Sequence, residues 1–173
     1  AFYYSFDSVV LRFTFFLFFI DIMTYNFSLE HSLISNWVSE LRDVNIQNDS
    51  MRFRKNLERL GEIMGYEISK QLEYEEQLVT TPLGEKSCRV LKEQPVLATI
   101  LRAGLPMHYG LLNVFDKAEN AFLSAYRKHE PDGSFEIRLE YMSCPDIKNK
   151  TIILSDPMLA TGASLVKTIE YLK

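Results

Sequence analysis

The sequence predicts an α/β protein, a parallel sheet flanked by helices, with further helices ahead of it and a β-hairpin flap projecting from it. Three observations carry this. Val96–Leu101, Ala121–Tyr126 and Thr151–Leu154 are short apolar runs without polar alternation, the pattern of strands covered on both faces. These runs alternate with stretches of helical periodicity. The last of them passes through Ser155-Asp156-Pro157 into the small, hydroxyl-rich run Ala160-Thr161-Gly162-Ala163-Ser164, a strand, a turn and the start of a helix.

In chain order, Ala1–Ile22 stands apart, with seven of the twelve phenylalanines. Its apolar core, Val9–Ile20, is shorter than the roughly 20 residues a membrane span needs. The segment also lacks a basic leader and a small-residue cleavage pattern. With the first methionine at Met23, residues 1–22 are expected to be an upstream or disordered apolar segment, and 23–173 the domain proper. Leu33, Ile34, Trp37, Val38 and Leu41 mark one face of a helix within Leu29–Leu41. Asn48, Asp49 or Ser50 can cap the next, longer helix, whose stripe is Phe53, Leu57, Leu60, Met64, Ile68 and Leu72. Gly61 and Gly65 within it imply close packing against a neighbour. Glu73–Gln94 is polar, with a weak strand near Glu75–Thr81 and a turn at Pro82-Leu83-Gly84.

Val96–Leu101 ends in Arg102-Ala103-Gly104, and Leu105–Phe115 follows as a helix with Pro106 in its first turn. Ala121–Tyr126 ends in Arg127-Lys128-His129. Pro131-Asp132-Gly133 is a strong turn signal, and Phe135, Ile137, Leu139 and Tyr141 alternate with charged residues. Lys128–Tyr141 therefore reads as a flap. The chain stops at Lys173 inside the helix that Leu165, Ile169 and Leu172 define, and the fold is expected to be incomplete at that end.

Composition narrows the function. A chain of 173 residues with 47% apolar and 24% charged residues suits one globular domain. A net charge of −4 gives no basic stripe for nucleic acid. Cys88 and Cys144 have no C-x-x-C spacing, which suits a reducing, cytoplasmic compartment. No membrane partner is expected. His31, His108 and His129 have no metal-binding spacing, and His108 is best read as a packed histidine.

The chemistry converges at the strand ends. Ligands of parallel sheets bind outside the carboxyl ends of the strands. Those ends deliver Arg102, Arg127 and Asp156, and the amides of Ala160–Ser164 at a helix N-terminus form an anion nest. Arginine forks suit the oxygens of a phosphate or diphosphate. A carboxylate beside an anion nest suits a sugar phosphate.

The run Asp156-Pro157-Met158-Leu159-Ala160-Thr161-Gly162-Ala163-Ser164 closely resembles the phosphoribosyl-diphosphate (PRPP) signature of the uracil phosphoribosyltransferases, a branch of the type I phosphoribosyltransferases. Most relatives have two adjacent acids where the uracil branch has Asp-Pro. Ile100–Leu105 resembles the family's diphosphate loop, and Tyr126-Arg127 the pair that opens its flap. The resemblance covers nearly all of His31–Lys173. It implies a pentosyltransferase of pyrimidine salvage that joins uracil to PRPP, giving UMP and diphosphate. Arg102 and Arg127 would bind the diphosphate, with Mg2+ sharing its charge and no metal held directly by the protein. Asp156 would hold the ribose hydroxyls and, with Arg127, make up the catalytic pair. Pro157, Met158 and Leu159 would belong to the same PRPP-binding run, and Ala160, Thr161, Gly162, Ala163 and Ser164 would bind the 5′-phosphate. The family further implies a homo-oligomer, a dimer or higher, and GTP as a possible effector. Ala163 stands where the family usually has a second glycine, and the family's uracil-reading segment lies downstream of Lys173, absent from this chain. Two other readings are a phosphoribosyltransferase-like nucleotide-binding regulator and an inactive fragment that keeps only the sugar-diphosphate site.

Overall fold

The computed structural model describes residues 2–3, 10–13, 23–29, 31–129, 135–158 and 162–172, with the backbone alone for 2–3, 10–13, 23–24, 28, 125–129 and 135–139. Its strands are β1 (Phe2–Tyr3), β2 (Val10–Phe13), β3 (Met23–Asn26), β4 (Tyr74–Thr81), β5 (Gly84–Leu91), β6 (Val96–Leu101), β7 (Glu119–His129), β8 (Phe135–Ser143) and β9 (Ile152–Ser155). Its α-helices are α1 (Leu33–Arg42), α2 (Ser50–Ser69), α3 (Leu105–Val114) and α4 (Ala163–Leu172). Seven strands form one sheet in the order β3-β2-β1-β9-β6-β7-β8. The centre β1-β9-β6-β7 is parallel, and the outer pairs β1–β2, β2–β3 and β7–β8 are antiparallel.

The apolar runs that predict the sheet lie at its centre. Along β6, Leu97 faces one core with Ile153 of β9, α2 and α3. Val96, Ala98 and Ile100 face the other with Leu154, Leu165 and the α4 side chains Ile169 and Leu172. Two-sided burial is why these strands show no polar alternation. Each of Leu60, Ile68, Leu97 and Leu111 is fully buried, worth roughly 1.5–3 kcal/mol apiece in removed apolar surface.

The α2 N-terminus is capped by Asp49, whose carboxylate accepts from the amides of Met51 at 3.1 Å and Arg52 at 3.0 Å. Gly61 and Gly65 let α2 lie directly on α3, as the sequence implies. A β-carbon on Gly61 would stand 2.2 Å from the Met107 carbonyl oxygen, and one on Gly65 3.2 Å from Val114 Cβ. A partly buried polar link ties α1 to α2. Asn56 Nδ2 donates to Glu40 at 2.7 Å, and Arg59, stacked 5.7 Å from the Trp37 ring, donates to Asn56 Oδ1 at 3.0 Å.

Three boundaries differ from expectation. The first helix begins at Leu33, after a 3₁₀ turn at Phe27–Leu29, so Leu33 at its first turn is exposed and off the core stripe. The polar Glu73–Gln94 region holds two strands where one weak strand was expected. β4 and β5 pair residue for residue from Tyr74↔Leu91 to Thr81↔Gly84 around the expected turn. Pairing across the ribbon supplies order that the polar run Gly84–Ser87 does not advertise. The third strand is also longer, because β7 continues past the sheet into the flap and pairs with β8 as far as His129↔Phe135. No described helix is long and apolar enough to cross a membrane.

Candidate active site

The ladder registers determine which strand ends share an edge. Thr99 of β6 lies beside Ser155 of β9, and Leu101 of β6 beside Ser124 of β7. Arg102 and Asp156, each one residue past its strand, therefore emerge on the same carboxyl edge. Arg127 lies three residues beyond Ser124, where β7 pairs only with the flap strand, opposite Ile137. Its side chain lies outside the described residues, as do Leu159, Ala160 and Thr161. Arg102 is exposed, available to a ligand approaching that edge.

Asp156 is only 7% exposed. The Met158 amide donates to its Oδ1 at 3.1 Å, closing an Asx turn over the buried Pro157 and leaving Met158 facing solvent. Burial pushes the carboxyl above its ordinary range, and the Met158 hydrogen bond opposes that shift. Gly162 has φ 73°, in the left-handed region that favours glycine, and its carbonyl accepts the Val166 amide at 2.9 Å to open α4. Ala163 is the first residue of α4, so its methyl group sits on helical backbone and the departure from a second glycine costs no strain. Ser164 lies in the same first turn, half-buried.

Beneath the rim are two hydroxyls that the sequence reading passed over. Thr99 Oγ1 donates to the Ser155 carbonyl at 3.3 Å, and Ser155 Oγ to the Ala98 carbonyl at 3.3 Å. Both residues are fully buried. Their only signal in the sequence is a hydroxyl inside an otherwise apolar strand. His108 is set apart from the rim, buried on α3 with Nε2 2.8 Å from Asn120 Oδ1 and its ring 5.1 Å from Phe122. Among the described residues, no three His, Cys, Asp or Glu side chains group as a metal cage.

A parallel sheet whose carboxyl edge carries an arginine loop, a buried Asp-Pro turn and a glycine-initiated helix defines an open α/β protein of the kind that binds ligands beyond its strand ends. A sequence model of the uracil phosphoribosyltransferase family matches residues 28–173. The chain belongs to that family. It is 59% identical over 136 residues to a uracil phosphoribosyltransferase of Porphyromonas gingivalis, covering 79% of this chain and 63% of that protein. It is 40% identical over 151 residues to one of Pyrococcus furiosus, covering 85% and 63%. Among solved structures, that of the AQ2163 protein from Aquifex aeolicus superposes with a TM-score of 0.71 at 34% identity, over 82% of this chain and 66% of that one. The chain thus spans about 63% of the length of the curated relatives it matches.

Proposed function

We propose that this chain carries the sugar-diphosphate half of a uracil phosphoribosyltransferase, which converts uracil and PRPP to UMP and diphosphate in pyrimidine salvage. The observation that carries the reading is the buried Asp156-Pro157 turn on the same sheet edge as the Arg102 loop. Arg102 and Arg127 bind the diphosphate leaving group. Asp156 holds the ribose hydroxyls, and its negative charge opposes the positive charge that builds on the ring as the C1–O bond breaks. Pro157, Met158 and Leu159 belong to the PRPP-binding run, and Ala160–Ser164 receive the 5′-phosphate on amides at the start of α4. Catalysis here is positioning plus electrostatics, with no side-chain nucleophile. The β7–β8 flap closes over the site and keeps water from the activated sugar.

The donor set fits Mg2+ that arrives with the substrate. A hard cation held by phosphate oxygens and water needs no protein cage, and among the described residues no three His, Cys, Asp or Glu side chains form one. Arriving with PRPP, Mg2+ would share the charge of the diphosphate that Arg102 and Arg127 bind. The chain spans about 63% of the length of its curated relatives, and the acceptor is assigned through the family. The family match begins at residue 28, and we assign 23–173 to the phosphoribosyltransferase domain, with 1–22 outside it although β1 and β2 extend its sheet. We further assign a cytoplasmic location, a homo-oligomer of two or more copies and a possible GTP effector. The net charge of −4 argues against nucleic acid as a partner.

The test is UMP formation from labelled uracil, using this chain and a version extended to its relatives' length, with titration of PRPP into this chain alone. UMP from the extended protein and PRPP binding by the short one are expected. If the extended protein prefers guanine or orotate, the substrate assignment fails. If the extended protein forms no nucleotide from any base although PRPP still binds, the enzymatic assignment fails and the nucleotide-binding regulator reading holds instead.

A further inference from the structure

We propose that Thr99 is a positioning residue that locks the Arg102 loop and the Asp156 turn into one rigid rim. The inference deepens the PRPP-site reading and rests on it for its ligand. Thr99 is fully buried at the last β6–β9 register pair, opposite the final residue of β9 and two residues before the end of β6. Its hydroxyl reaches both loops. On one side Oγ1 donates to the carbonyl of Ser155, the residue that hands the chain to Asp156. On the other side Oγ1 occupies the space where a Gly104 β-carbon would stand, 2.0 Å from that ideal position.

Gly104 is itself fixed from both directions. Its amide donates to the Ile100 carbonyl at 3.0 Å, and its carbonyl accepts the His108 amide at 2.9 Å in the first turn of α3. The same ideal β-carbon would lie 2.8 Å from the Ile100 oxygen and 3.2 Å from the Ser155 oxygen. The two loops thus meet across one hydroxyl, with no room for a side chain at position 104. Ser155 adds a reciprocal bond from its own hydroxyl to the Ala98 carbonyl. Two polar side chains in otherwise apolar strands are placed where lateral slip of β6 against β9 would change the spacing of Arg102 and Asp156. A buried hydroxyl that bonds a neighbouring strand's carbonyl also loses its solvation unless that partner stays in place, so it resists such slip.

Thr99→Val keeps the shape and removes the bond, and Thr99→Ser keeps the bond and removes a methyl group. Two measurements on the full chain test the proposal. In the absence of ligand, amide hydrogen exchange at Gly104, Leu105 and Met158, each bonded within its loop, should speed up about tenfold in Thr99→Val, while α2 amides keep their wild-type rates. In calorimetric titration, PRPP affinity should fall about tenfold in Thr99→Val, the loss of roughly one buried hydrogen bond, and return to near wild type in Thr99→Ser. Unchanged exchange at both loops in Thr99→Val overturns the lock, whatever binds. Exchange that accelerates throughout the chain also overturns it, since the role would then be general stability. If wild-type protein does not bind PRPP, the functional reading fails and the exchange result still decides the role of Thr99.

Discussion

Asp156 shows at the scale of one residue how function and stability oppose each other. Its folded-state pKa is raised by burial, so the folded protein binds the proton more tightly than the unfolded chain does. By linkage, ionisation then costs stability as pH rises from the ordinary carboxylate pKa through the raised one, and the cost persists at neutral pH. Asp156→Asn should therefore unfold at the same or higher urea concentration at pH 7, while turnover in the extended protein falls by about 100-fold or more. Parallel denaturation and UMP-formation assays check both halves. His108 behaves in the opposite sense. Burial lowers its pKa, the Asn120 hydrogen bond opposes that shift, and Nδ1 is buried without a hydrogen-bond partner among the described residues. Stability should be constant above the ordinary histidine pKa and fall as pH drops from there through the lowered folded value. His108→Gln, which can keep a donor toward Asn120, should flatten the urea midpoint between about pH 7 and pH 5.

Among the elements, the α2–α3 pair is the tightest junction, and its glycines are not equivalent. A β-carbon on Gly110 would lie 1.9 Å from the Glu58 carbonyl oxygen and 2.8 Å from the Glu62 amide, both backbone atoms that cannot turn aside. One on Gly65 would meet side-chain atoms of Val114 and Leu111 at 3.2–3.3 Å, and these can give. Gly110→Ala should destabilise by about 1–3 kcal/mol through separation of the helices, and Gly65→Ala by clearly less. Urea unfolding of the two variants tests the order, and equal losses would contradict it. The sequence signals Gly61 and Gly65 through their spacing in an amphipathic stripe. Gly110, inside a helix apolar nearly all round, carries no such signal, since only the meeting of two helices makes its missing side chain necessary. The β4–β5 ribbon escaped sequence reading for a related reason, because its second strand draws its order from its partner.

For the whole molecule, that ribbon is the least self-sufficient part. Its base packs on the core through Leu91, while Tyr74 and Leu78 are exposed and Leu83 at the tip is fully so. A two-stranded ribbon is marginal in water on its own, and apolar groups along it gain from covering. This supports the assigned homo-oligomer. The double variant Leu78→Asp with Leu83→Asp should lower the sedimentation-derived mass toward that of one chain. A wild-type mass in the variant would place the contact elsewhere.

The sequence by itself determined the class of fold, the three central strands, and the caps and helices around them. Each of these depends on local rules, such as apolar runs, capping side chains and a strand–turn–helix motif, that a single stretch of chain can state. Tertiary structure alone decided the register that sets Thr99 beside Ser155 beneath the shared edge, that Thr99 spans both loops, and that β5 exists as a strand. Those facts depend on register and on contact between segments as far apart as Thr99 and Ser155. A residue's type shows what it can bond to, and only the packed chain brings the partner within reach.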